Sequence, residues 1–174
     1  MGALAFWRTV VQDHSNFLEG ILGLLEREGV RYCAVGGVAV NAYVEPVVTL
    51  DLDLVVAVED VDRVRALVVR EYGVEEFEHS INVRDPGSRL QVQFQLDPEM
   101  SGYLTRAERR EVLGLEIPVA APGDLVAAKV RAVADPARRA SKRQKDLADI
   151  SRLLEAFPTL LYLVPDEIQE RLMR

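Results

Sequence analysis

Apolar residues at Phe17, Leu18, Ile21, Leu22 and Leu25 recur at helical spacing, with Asn16-x-x-Glu19 as a start signal and Gly29 as a stop. Arg31 to Val35 is a short apolar run closed by Gly36-Gly37, the pattern of a buried strand. Val38 to Tyr43 predicts one or two helical turns ending before Pro46. Leu50 to Val58 predicts a second strand, interrupted only by Asp51 and Asp53. Glu59 to Tyr72 reads as a helix with Val61, Val64, Leu67 and Val68 on one face and acids in its first turn.

Two further strands, Phe77 to Val83 and Leu90 to Leu96, flank the turn signal Asp85-Pro86-Gly87-Ser88. Val112 to Ala120 predicts one more short strand. Pro122-Gly123-Asp124 opens a helix reaching Ala134, broken by Asp135-Pro136; Ser141 to Phe157 and Pro165 to Met173 complete the helical tail. The order predicts an α+β (mixed α/β) fold: a mixed sheet with helices packed on it, followed by helices.

A chain of 174 residues that is 49% hydrophobic and 28% charged is expected to fold as one domain, or one with a small appendage. No run approaches the roughly 18 apolar residues of a membrane helix. The apolar opening around Phe6 and Trp7 has no basic stretch before it and no cleavage site after it, so no secretory leader is expected. Phe6 and Trp7 are expected as packing anchors. Cys33 is the single cysteine, which excludes an internal disulfide framework and leaves it as a small core residue. A cytoplasmic setting is the expectation.

The net charge of −7 argues against a surface built to coat nucleic acid. Its distribution is uneven. Between Lys129 and Lys145 seven basic residues stand against one acid, Asp135. That stripe suits a compact polyanion; a solvated helix pair is the plainer reading. His14 and His79 stand alone. The chain has no Walker-type loop, no G-x-G-x-x-G, no H-E-x-x-H and no G-x-S-x-G.

Period two sends Asp51 and Asp53 to one face of their strand, about 7 Å apart, with Leu50, Leu52 and Leu54 on the other. Such a pair repels itself unless a cation sits between, and oxygen ligands suit a hard ion such as Mg²⁺. Asp60-x-Asp62 has the same spacing at a helix start, so spacing alone means little. Context adds to it. Gly36-Gly37 follows a buried strand and opens a helix, where backbone N–H groups can approach a phosphate closely.

Val35-Gly36-Gly37-Val38-Ala39, a gap, then Thr49-Leu50-Asp51-Leu52-Asp53-Leu54-Val55 resembles the nucleotidyltransferase superfamily that includes DNA polymerase β, and within it the small bacterial branch around the AbiEii-type toxins. Gly123-Asp124-Leu125-Val126-Ala127-Ala128-Lys129-Val130-Arg131 and Lys145-Asp146-Leu147-Ala148-Asp149-Ile150 are similar to that branch's Lys-containing helix and its (Arg/Lys)-Asp-x-x-Asp helix. The resemblance spans about residues 30 to 155. It implies a nucleotidyltransferase-like core over residues 1–120 and a C-terminal helical subdomain packed on it over residues 121–174.

It further implies metal ligation by Asp51 and Asp53 with Mg²⁺ or Mn²⁺. Gly36, Gly37, Lys129 and Lys145 would contact the nucleotide, and Asp146 and Asp149 would join the catalytic set, one as a candidate base. The implied reaction moves a nucleotidyl group from a nucleoside triphosphate to a hydroxyl of tRNA, protein or a small molecule. The implied setting is a toxin–antitoxin pair, with a cognate antitoxin or a second copy of the chain as partner and no membrane. The plainer expectation for Asp146 and Asp149 is a solvated face pairing with Lys142, Lys145 and Arg152.

Two departures stand out. Active members of the family it resembles usually bring a third carboxylate from a neighbouring strand, where this chain reads Gln91-Val92-Gln93-Phe94-Gln95. A neutral amide offers an oxygen but no charge. Val47 also stands where relatives often carry an Arg. The alternative is therefore a catalytically degenerate relative that binds nucleotide or a partner protein.

Overall fold

The computed structural model describes Thr9, residues 12–112 and residues 114–172; Phe6, Trp7 and Met173 lie outside them. Helix α1 (Phe17–Arg27) buries Phe17, Leu18, Ile21, Leu22 and Leu25 as the spacing predicts, and Gly29 ends it at φ +65°. Its start differs from expectation. Asn16 is left-handed and caps nothing with its side chain, whereas the backbone N–H groups of Phe17 and Leu18 donate to the buried Asp13 carboxylate at 3.0 and 3.3 Å. A carboxylate several residues upstream thus performs the cap.

Strand β1 (Tyr32–Val35) is buried along its whole length and runs into the short helix α2 (Gly36–Val40). Strand β2 (Asp51–Val56) alternates partly exposed acids with buried Leu52 and Leu54. A 3₁₀ turn (Val58–Asp60) leads into α3 (Val61–Glu71). Strands β3 (Gly73–Phe77), β4 (Ser80–Arg84) and β5 (Gln91–Gln95) follow, then a short helix α4 (Tyr103–Arg106). Strands β6 (Glu108–Val112) and β7 (Leu115–Val119) precede helices α5 (Pro122–Ala134), α6 (Ala140–Ala156) and α7 (Asp166–Leu172).

The seven strands form one mixed sheet in the order β3-β4-β5-β2-β1-β7-β6. The pairs β2–β5 and β1–β7 are parallel and the rest antiparallel. The hairpin predicted around Asp85-Pro86-Gly87-Ser88 is β4–β5, with Arg84 opposite Gln91. Two expected strands divide. Phe77 to Val83 is broken at Glu78-His79, where β3 turns into β4, and Val112 to Ala120 is β7 with the end of β6 before it. Both unpredicted strands lie at the sheet's edges and are rich in charge (Glu75 and Glu76; Glu108 to Glu111), which is how edges resist pairing with other chains.

Leu52, Leu54, Ile81, Val83, Val92 and Phe94 are fully buried on one face of the sheet, with Leu18 and Leu22 of α1 near Leu52. Leu125 and Val126 of α5 and Leu147, Ile150 and Leu153 of α6 belong to the same buried cluster. Cys33 lies in it with no exposure, and burial pushes its thiol up to about 12. No helix among the described residues is long and apolar enough to cross a membrane.

Candidate nucleotide and metal site

At the centre of the sheet, β2 lies between β1 and β5, with Asp53 opposite Val35 on one side and Gln93 on the other. Asp51 is opposite Gln91. Because β2 buries Leu52 and Leu54 in the core, its two acids must share the other face, and both line a cavity of about 290 Å³. Strand β5 and helices α5 and α6 complete its walls through Gln93, Gln95, Lys129, Lys142 and Asp146.

The glycine pair divides its work. Gly36 has φ +68°, and a Cβ there would fall 2.9 Å from Asp53 Cγ and closer still to Oδ2. Only glycine fits, because the Asp53 carboxylate lies against that backbone. Gly37 is unlike it. Its missing Cβ faces Thr49 at 3.6 Å and Lys145 Nζ at 3.8 Å, which are ordinary contacts, so a side chain there would meet no wall.

Asp53 is held above the usual carboxylate range, first by burial and then by the charge of Asp51. Lys129, a hydrogen bond from Gln95 and Lys142 pull the other way without cancelling it. Gln95 Nε2 donates to Asp53 Oδ1 at 3.1 Å. Lys142 Nζ stands 3.6 Å from Asp51 Oδ2. Two carboxylates on one face with too little positive charge form the oxygen-rich, anionic donor set that suits a hard divalent cation.

The second acid pair is built differently. Asp146 and Asp149 are buried, at 1% and 3% exposure, so the expected solvated face is corrected. Lys129 Nζ bridges them, 2.8 Å from Asp146 Oδ1 and 2.7 Å from Asp149 Oδ2. Arg138 closes on Asp146 Oδ2 through Nε at 2.9 Å and Nη2 at 2.8 Å. Arg152 Nη1 meets Asp149 Oδ1 at 2.9 Å. Burial alone would lower the Lys129 pKa, but Asp149 and Asp146 more than offset it and the net shift is upward. The same Arg152 donates to Asn41 Oδ1 at 3.1 Å and to the Glu45 carbonyl, and Asn41 holds both backbone groups of Val47. Asp149 is thereby tied to the loop between α2 and β2.

The structure thus gathers Gly36, Asp51, Asp53, Lys129 and Asp146 around one cavity. Lys145 lies beside Gly37, and Asp149 sits behind Lys129. Sequence reasoning missed Arg138, Lys142 and the contact of Gln95 with Asp53. Lys142 had a signal: with Lys145, Asp146 and Asp149 it follows the i, i+3, i+4, i+7 spacing of one helix face. Arg138 had none, since it precedes the helix.

The architecture is that of a nucleotidyltransferase fold, and solved structures agree. The chain superposes on ANT(2")-Ia in complex with adenylyl-2"-tobramycin with a TM-score of 0.65 and 13% identity, covering 90% of this chain and 97% of that one. An antigenic nucleotidyltransferase-like protein from Paracoccidioides brasiliensis gives 0.53 and 18%, covering 86% and 75%. The lincomycin-bound lincosamide antibiotic adenylyltransferase LnuA gives 0.51 and 12%, covering 82% and 99%. No curated protein matches the sequence. The family model described as "Nucleotidyl transferase AbiEii toxin, Type IV TA system" matches residues 35–172, and the chain belongs to that family.

Proposed function

We propose that this chain transfers a nucleotidyl group from a nucleoside triphosphate to a hydroxyl of tRNA, protein or a small molecule, as the toxin of a toxin–antitoxin pair whose partner is its cognate antitoxin. The observation that carries the reading is the Asp51/Asp53 pair, packed against Gly36 and short of positive charge, at the wall of a cation-lined cavity. Asp51 and Asp53 would hold Mg²⁺ or Mn²⁺. Bound there, the ion would supply charge stabilisation for the reacting phosphate and the departing pyrophosphate.

In this reading the backbone at Gly36 and Gly37 approaches the triphosphate, and Lys145, beside Gly37, adds a cation. The acceptor hydroxyl gives up its proton to solvent, and its oxygen bonds to the α-phosphorus as the bond to the pyrophosphate oxygen breaks and pyrophosphate leaves. Lys129 faces the cavity from α5, aimed by Asp146 and Asp149. These two acids serve as positioning residues: each already meets two cations, a poor state for a general base. A cytoplasmic setting, where nucleoside triphosphates are abundant, fits this chemistry.

The glutamine row favours a second reading, a degenerate member that binds nucleotide or a partner without turnover. A labelled-nucleotide transfer assay with Mg²⁺ or Mn²⁺ decides between them. Wild type should label an acceptor, and Asp51→Asn/Asp53→Asn should lose transfer by several orders of magnitude while keeping its circular dichroism. Transfer retained in the double variant contradicts the assignment. No transfer by wild type, with a gain in Gln93→Asp, selects the degenerate reading.

A further inference from the structure

The neighbours of Asp51 and Asp53 limit how much positive charge the site takes. Among the described residues no group of three or more His, Cys, Asp or Glu side chains is placed to hold a metal. The β5 residues opposite the two acids are Gln91 and Gln93, both neutral. Gln91 Oε1 already accepts from Arg84 Nη2. Gln95 turns its amide N–H toward Asp53 Oδ1, so a donor stands where a second ion would need an acceptor.

Positive charge comes instead from the protein. Lys142 Nζ is 3.6 Å from Asp51 Oδ2 and lines the same cavity. It rises from α6 one turn before Asp146, whose clasp by Lys129 and Arg138 fixes that stretch of helix. Lys129 and Arg138 are committed to that clasp, whereas the Lys142 side chain is half exposed and stands 3.6 Å from Asp51. It can therefore turn from Asp51 to an arriving phosphate without uncovering a buried charge.

We propose that the site takes one divalent ion per chain and that Lys142 supplies, as the protein's own cation for the nucleotide's phosphates, part of the charge a second ion would otherwise bring. The inference rests on the reading that Asp51 and Asp53 hold a metal. A second divalent ion on the same two carboxylates would have too few oxygen ligands from the protein and would stand against the Lys142 ammonium. One ion and one ammonium suit a triphosphate and keep the second charge in place without a third carboxylate.

Mn²⁺ binding to the full chain, counted by equilibrium dialysis as the excess of total Mn²⁺ on the protein side with and without a non-hydrolysable triphosphate analogue, tests this. Wild type should bind one Mn²⁺ per chain in both conditions. Lys142→Ala should bind Mn²⁺ alone about threefold more tightly, having lost a half-exposed competitor for Asp51. It should bind the Mn²⁺–analogue complex roughly tenfold or more weakly, while Lys142→Arg restores most of that affinity. Gln93→Asp, confirmed folded by thermal unfolding, should add a second Mn²⁺. Two ions per wild-type chain, or a Lys142→Ala variant unchanged in both affinities, overturns the proposal while the metal reading stands. No Mn²⁺ bound at all overturns the metal reading and this inference together.

Discussion

Asp51, Asp53 and Asp146 line one cavity with Asp149 behind Lys129, and the surroundings of the two acid pairs make them opposites. The strand pair meets one lysine at 3.6 Å and one neutral amide, and burial with mutual repulsion holds Asp53 toward its protonated form. The helix pair meets Lys129, Arg138 and Arg152, all within 3 Å. In the proposed reading, the pair left short of cations takes one from solution. In the same reading, the pair already saturated positions Lys129. Spacing in sequence does not tell them apart; the cations around them do.

The contrast breaks first at Lys129. Lys129→Met leaves two buried carboxylates with their shared cation gone and should cost about 3–5 kcal/mol in urea unfolding. A loss below roughly 1 kcal/mol, the worth of a surface pair, would mean that Asp146 and Asp149 are not the closed unit described. The strand pair should respond in the opposite sense and by less. Asp53→Asn keeps the acceptor for Gln95 and removes the repelled charge, so without divalent ions it should raise Tm by a few degrees at neutral pH.

Because the folded-state pKa of Asp53 is raised above 3.8, the folded state binds the extra proton. Its contribution to stability is therefore lost as pH rises from the ordinary carboxylate value through the raised one. Unfolding between pH 4 and neutrality, compared with Asp53→Asn, should show this decline in wild type alone. A parallel pair of curves would remove the electrostatic contrast.

Much of the sheet was legible from hydrophobic period. The acids of β2 interrupt a leucine run at alternate positions, and β1 and β5 carry apolar alternation or burial that only a strand explains. The edges β3 and β6 were not, because exposed strands need no apolar alternation and these carry charges instead. The turn at Glu78-His79 lacks Gly, Asn or Asp, so nothing local marked it.

In the site, Gly36, Gly37 and the strand pair were legible, because a glycine after a buried strand and alternate acids on the next depend on local geometry. The saturation of Asp146 and Asp149 was not. It depends on Lys129, 17 residues away on another helix, and on Arg138 outside any helix. The glutamine row was visible as a departure, but the contact of Gln95 with Asp53 follows from the parallel register of β2 and β5 and is not written in either strand alone.

In the proposed reading the strand pair, and not the helix pair, receives the metal and its nucleotide. Thermal unfolding with each of the four nucleoside triphosphates, with and without Mg²⁺ or Mn²⁺, tests it on wild type and Asp51→Asn/Asp53→Asn. At about a hundred times Kd the bound nucleotide should add roughly 2.7 kcal/mol, a rise on the order of 5–10 °C for a chain of this length. A metal-dependent rise is expected for at least one nucleotide in wild type and none in the double variant. A rise that survives in the double variant, or no rise with any nucleotide in wild type, contradicts it.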